Sequence, residues 1–247
     1  MFSKLMASVG IGAAKVDTII HTERLYPGQP FDIEIVIEGG KVDQQINGLT
    51  LALMVQAEVE SGDHEGLQSL VLHDWHLNES FTIGAGEIVR DSFQLQLPLE
   101  TPLTLLPRCR NQTHVWLQTG LDIASGVDGS DKDFLPVAPV PAMSNVMAAI
   151  EGLGFALYSA DVEKGQLRGS GFYSTLGCYQ ELEYRPASFG NIAIKELELS
   201  FVLADNALHL LVEVDRHFRG DGFTSLTLPL TVSIEQAATA LRQALRL

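Results

Sequence analysis

The densest polar chemistry in this chain lies at Asp215-Arg216-His217-Phe218-Arg219-Gly220-Asp221-Gly222, directly after a run that ends at Val214. It places Arg216 and Arg219 among carboxylates in a chain that holds only ten arginines. A guanidinium is a planar fork of donors that fits a carboxylate bidentately. The segment reads either as a flexible, solvated loop or as a contact. The contact would be to a partner, or an ionic clasp to the first half of the chain, with Asp122 as acceptor. Asp122, Asp215, Arg216 and Arg219 are the candidates for it.

Metal chemistry is the next class to weigh. Asp128, Ser130, Asp131 and Asp133 offer the hard oxygens calcium takes. A helix-loop-helix calcium site wants glycine at its sixth position and glutamate at its twelfth. Counted from Asp128, those positions hold Asp133 and Pro139. The stretch is read as a solvated acidic turn, with Asp128, Asp131 and Asp133 kept as weak metal candidates. His73-Asp74-Trp75-His76 carries an H-x-x-H, with His64 nearby. On a strand, residues three apart point to opposite faces. The pair would share zinc only across a turn or bulge, and exposed polar histidines are the reading taken.

Nucleophilic and phosphate chemistry find no frame. No G-x-S-x-G occurs, and Gly169-Ser170-Gly171 reads as a loop. Gly10-Ile11-Gly12 and Gly152-Leu153-Gly154 lack a third glycine and a βαβ setting. Paired carboxylates are plentiful but fall on the wet faces of strands. Nothing in the sequence brings two of them to the about 5 to 9 Å that glycoside hydrolysis uses. Cys109 and Cys178 have no metal-like spacing and read as small hydrophobes in a reducing cytoplasm.

The elements that carry these residues are mainly strands. Phe31, Ile33, Ile35 and Ile37 alternate with polar neighbours, as do Leu49 to Val59 and Phe93 to Leu97. Each predicts a half-buried strand, and turn signals at Tyr26-Pro27-Gly28, Glu38-Gly39-Gly40 and Gly84-Ala85-Gly86 argue for an antiparallel sandwich. After Phe134 the pattern changes. Pro136 to Pro141 predicts a stiff linker. A helix follows with Met143, Val146, Met147, Ile150 and Leu153 on one face. Leu197 to Leu203 and Leu208 to Val214 predict a hairpin around Asp205-Asn206. Ser233-Ile234-Glu235-Gln236 is a capping box opening a last helix. Phe2, Leu5, Met6 and Val9 predict a short helix packed on the body. The expected domains are 1–135 and 136–247.

Composition bounds the function. Of 247 residues, 46% are hydrophobic, enough for real cores, and the formal net charge is −15. That charge excludes a general nucleic-acid binder and broad docking on anionic lipid. No stretch approaches the about 20 apolar residues of a spanning helix.

Several segments resemble one family. They are Val9 to Asp17, Tyr26-Pro27-Gly28-Gln29, Glu38 to Val42, Leu97 to Pro102, Val115 to Ile123, Asp131-Lys132-Asp133 and Leu211 to Arg216. Together they resemble the bacterial sporulation-control family of the stage-zero M type. Residues 64–80 and 165–177 match it poorly, and His217 stands where members often carry a second basic residue. The resemblance implies two tandem arrestin-like antiparallel β-sandwich domains, with short helices at the N-terminus, the linker and the C-terminus. It implies a regulatory or scaffolding protein that binds protein partners, with no catalysis and no cofactor. By analogy, Asp122 and Arg216 would meet at the domain junction. The alternative is a calcium-assisted module for small molecules or glycans. A cytoplasmic location is expected, with no nucleic-acid partner and no integral membrane segment, and a homodimer is left open.

Overall fold

The computed structural model describes residues 12–61, 64–77, 79–124, 127–188, 194–216 and 219–247. The helix expected over Phe2 to Val9 lies outside the described residues. The first half carries β1 (Lys15–Ile20), β2 (Pro30–Glu38), β3 (Gln44–Ser61), β4 (His64–Leu77), β5 (Phe81–Ile83), β6 (Ile88–Gln96), β7 (Arg110–Asn111), β8 (Val115–Ile123) and β9 (Gly129–Phe134). The second half carries α1 (Pro141–Gly152), β10 (Phe155–Lys164), β11 (Arg168–Gly169), β12 (Phe172–Tyr173), β13 (Cys178–Pro186), β14 (Ile194–Leu203), β15 (Ala207–Arg216), β16 (Arg219–Pro229) and α2 (Ile234–Leu245). The protein is mainly β, as its alternation predicts.

In the first half, β1-β2-β6 form one sheet, and β8-β9 with β4 and β5 flank β3 in another. Alternation decides which side faces inward. Phe31, Ile33, Ile35 and Ile37 of β2 enter the same buried cluster as Leu49, Leu51 and Leu53 of β3 and Val115, Leu117 and Leu121 of β8. One polar pair crosses this core: Thr18 Oγ1 and Thr119 Oγ1 lie 2.6 Å apart, both buried. Each hydroxyl thereby answers the other, which removes the cost of an unpaired buried group.

The second half is an antiparallel meander in the order β10-β13-β14-β15-β16. Leu182, Leu197, Leu199, Leu210, Val212 and Val214 are buried in the main core together with Val146, Ile150, Leu241 and Leu245 of the helices. Pro141 opens α1, where its missing N–H costs nothing. Ser233 and Gln236 close the expected capping box on α2. The opposite face of the meander has no such cover over most of its area. At one end the β11-β12 hairpin rests on it, through a small cluster of Leu167, Phe172 and Val202.

Three local expectations change. Residues 128–133 are not a free turn, because Gly129–Phe134 pairs in register with β8. The arginine-rich segment is a tight hairpin: β15 runs to Arg216, and its ladder partner Arg219 begins β16. Glycines 220 and 222 and the dense charges mask the strand signal there, yet the alternation that resumes at Phe223 carries the ladder back. Gly169 and Gly171 bracket the β11-β12 turn, where Gly171 takes φ +86°, a left-handed value suited to glycine. The proline-rich segment is extended but tied down. Leu25 N donates to Pro136 O, Ala138 N to Leu25 O and Thr104 N to Val137 O, each within 2.9 Å.

Candidate functional site

A repeated pattern on the meander builds the site. Asp161 and Glu163 on β10, Glu181 and Glu183 on β13, Glu196 and Glu198 on β14, and Glu213 and Asp215 on β15 are all carboxylates spaced two apart. Residues two apart on a strand share a face. The register then stacks these pairs side by side. Asp161 stands opposite Glu181. Glu183 stands opposite Glu198, which stands opposite Glu213, and Glu196 stands opposite Asp215. Like charges directly opposite repel. The uncovered face of the meander is therefore a ladder of acids.

The ladder is half-buried, and burial changes its protonation. Burial first, then the charges of Glu198 and Asp161, push Glu181 up to about 8. Burial and Glu213 push Glu198 to about 7. Burial, then Glu58 and Glu183, push Asp161 to about 6. Glu183 goes the other way. Burial raises it, but hydrogen bonds from Ser159, Glu196 and Arg185 outweigh that and hold its carboxyl low. Arg185 bridges Glu183 and Glu196, at 3.0 Å from Glu196, and lies 3.6 Å over the Tyr158 ring. Lys195 pairs with Asp215 at 2.5 Å.

Two depressions adjoin the ladder. A cavity of about 120 Å³ is lined by Glu196, Glu198, Glu213 and Asp215. A groove of about 780 Å³ runs where the first half meets β10 and β13, lined by Val59, Glu163, Lys164, Gln166, Tyr179 and Glu181 among others. Carboxyl oxygens of Asp161, Glu163 and Glu181 lie within 4.8 Å of one another, a spacing one cation can bridge. Such a face can take up protons near neutrality, and it can receive ammonium or guanidinium groups.

The residues singled out from sequence are distributed around this face. Asp215 belongs to it. Arg216 turns away and its Nη2 donates to Leu245 O at 2.9 Å, on the last turn of α2. A cation there meets the negative end of the helix dipole. Asp122 is exposed on β8, where its Oδ1 accepts from Asn47 Nδ2 at 3.2 Å. No ion pair joins Asp122 to Arg216 among the described residues. Arg219 opens β16 beside Arg216.

The acids of β9 have local duties. Asp128 accepts from Ile123 N at 3.1 Å, and Asp131 accepts from Thr18 N at 2.7 Å and from Lys132 N at 2.9 Å. Burial, then the hydrogen bond and charge of Asp131 and the charge of Asp17, push Asp133 to about 7. His76 pairs with Asp74, and His73 meets Trp75 edge-on. Among the described residues these histidines join no group of metal-ligand atoms. The ladder itself was missed from sequence. Its signal was the acid-x-acid spacing recurring in four consecutive strands, legible once those strands are known to form a meander.

The halves are locked beside the groove. Thr175 N and Oγ1 donate to Glu100, the hydroxyl at 2.7 Å. β7 pairs in parallel with β10 at Ser159 and Ala160, and Glu163 of β10 pairs with Glu58 of β3.

Comparison with known proteins fits this architecture. A family model described as SpoOM protein matches residues 2–218. The sporulation-control protein spo0M of Bacillus subtilis (strain 168) is 38% identical over 220 residues, covering 89% of this chain and 82% of that protein. The crystal structure of Spo0M, sporulation control protein, from Bacillus subtilis superposes with a TM-score of 0.83 at 32% identity, covering 96% of this chain and 99% of that one. No helix among the described residues is long and apolar enough to cross a membrane. On the family match and this degree of identity, the chain belongs to the SpoOM protein family.

Proposed function

We propose that this protein is a non-catalytic regulator or scaffold of the sporulation-control type, and that the acid ladder is where it takes hold of a basic segment of a protein partner. The observation that carries this reading is the recurrence of aligned carboxylates across β10, β13, β14 and β15, answered mainly by Arg185 and Lys195. Their mutual repulsion costs stability in the free protein. A cationic partner lowers that cost, so binding and relief of repulsion act together. The adjoining groove supplies room for a chain segment, with Val59 and Tyr179 as less polar walls.

The reading includes two tandem arrestin-like sandwiches, over 1–135 and 136–247, in a cytoplasmic setting. The kinship to a sporulation-control protein supports the regulatory part. Asp215 lies on the proposed docking face, and Arg216 and Arg219 sit at its rim. A second reading is cation-assisted ligand binding. The clustering of Asp161, Glu163 and Glu181 favours it over 128–133, whose carboxylates already serve backbone donors. Titration with a defined basic peptide tests the first reading. Titration with calcium alone tests the second: a thermal shift that Asp161→Asn removes would favour it.

A further inference from the structure

Edge strands expose unpaired backbone donors and acceptors, and natural sheets guard them with charges, prolines or cover. Most edges here are guarded. β1 carries Lys15 and Asp17, β6 carries Arg90 and Asp91, β9 carries Asp131, Lys132 and Asp133, and β16 opens with Arg219 and ends at Pro229.

β4 differs. It runs 14 residues and pairs with β3 along its whole length. No backbone bond to its other side is formed among the described residues. From Gly66 to His73 it contains no Asp, Glu, Lys, Arg or Pro. Leu67 and Val71 are 64% and 58% exposed. They stand opposite Glu58 and Met54 of β3, and Ser69 between them stands opposite Gln56, so the three share the outward face. A bulge at Leu72, between the pairs Leu53–His73 and Met54–Val71, ends this straight run.

The occupant follows from charge and symmetry. At a net charge of −15, two copies repel over most of their surface. The uncharged run of β4 is where they approach most cheaply. An antiparallel strand pair about a two-fold axis is complementary to itself. With Ser69 on that axis, Leu67 falls opposite the partner's Val71 and Val71 opposite the partner's Leu67. Every apolar side chain on the outward face then gains an apolar neighbour.

We infer that two copies of this chain dimerise by antiparallel pairing of their β4 edges, centred on Ser69. The contact is a short sheet continuation, so association is weak, with a dissociation constant of about 10 µM. It strengthens with added salt, which screens the repulsion between acidic bodies.

Sedimentation of the full chain over about 1 to 500 µM tests this, with Leu67→Lys/Val71→Lys and Leu67→Lys/Val71→Glu as variants. Both positions are exposed, and matched thermal melts confirm that the variants fold. The register sets lysine against lysine in the first variant and lysine against glutamate, twice, in the second. The first is expected to be monomeric and the second to recover the wild-type dimer. Hydrogen exchange at Gly66 to Val71 is expected to slow as concentration rises. A wild type that stays monomeric throughout overturns the inference. So does a dimer indifferent to both variants, which places the interface elsewhere. Concentration-independent protection of β4 would give the edge to another segment of the same chain and also overturn it.

Discussion

Gln180 on β13 holds Leu103 by both ends of its backbone. Its Oε1 accepts from Leu103 N at 2.9 Å and its Nε2 donates to Leu103 O at 2.9 Å. The same Nε2 reaches Thr113 Oγ1 at 2.7 Å. One side chain of the second half thus satisfies three polar groups of the first. Gln180→Leu keeps the bulk and strands those groups, Leu103 being buried. Unmet buried backbone groups cost about 1 to 3 kcal/mol each. We expect an overall loss of about 3 kcal/mol in denaturant unfolding, and faster hydrogen exchange around Leu103.

The neighbouring residue, Glu181, points to the other face and into the acid ladder. Its carboxyl lies at about 8 in the folded chain, with Glu198 at about 7 and Asp161 at about 6. In the unfolded chain such groups titrate near about 4. Between about pH 4 and about pH 8 the folded state therefore binds more protons than the unfolded state. The stabilisation is complete below about pH 4 and is lost as pH rises through the folded values. The melting temperature is expected to fall steadily from about pH 5 to about pH 8.5. Glu181→Gln is expected to flatten that slope, adding about 2 kcal/mol at pH 8 and little at pH 5. A melting temperature that rises over this range would contradict the protonation account.

Arg216 ties the end of β15 to the last turn of α2 through the Leu245 carbonyl. The bond combines a charged donor with the helix dipole, and is worth about 1 to 2 kcal/mol. Arg216→Ala is expected to speed hydrogen exchange in residues 234–247 while leaving the strands of the first half as protected as before. Global unfolding of that variant would show that α2 holds more of the core than its burial of Ala237, Leu241 and Leu245 implies.

Sequence reading captured the parts of this fold that depend on local period. β2, β3, the β14-β15 hairpin, α1 and the capping box of α2 all follow from alternation, helical spacing or caps. It missed β9, where Asp131 and Asp133 look like turn residues and are held by Thr18 N and by the ladder to β8. It also missed the acid face, because that face exists only through long-range register. Glu183 and Glu198 become neighbours when β13 meets β14, and neither strand announces the other. The pairing proposed for Asp122 and Arg216 failed to appear for the same reason: each finds a nearer partner, Asn47 for one and Leu245 for the other.

The central claim is that the ladder, and not the overall negative charge, receives a basic partner segment. The direct measurement is calorimetric titration with a peptide carrying arginine at every second position. Two variants are compared, each lacking three charges: Glu181→Gln/Glu198→Gln/Glu213→Gln on the face, and Asp32→Asn/Glu38→Gln/Asp91→Asn on the exposed side of β2 and β6. Removing the face is expected to weaken binding about tenfold or more, while the control stays within about twofold of wild type. Wild-type binding should tighten from about pH 6 to about pH 8.5, as Glu198 and Glu181 ionise. Equal weakening in both variants, or binding that fades as pH rises, would contradict the account.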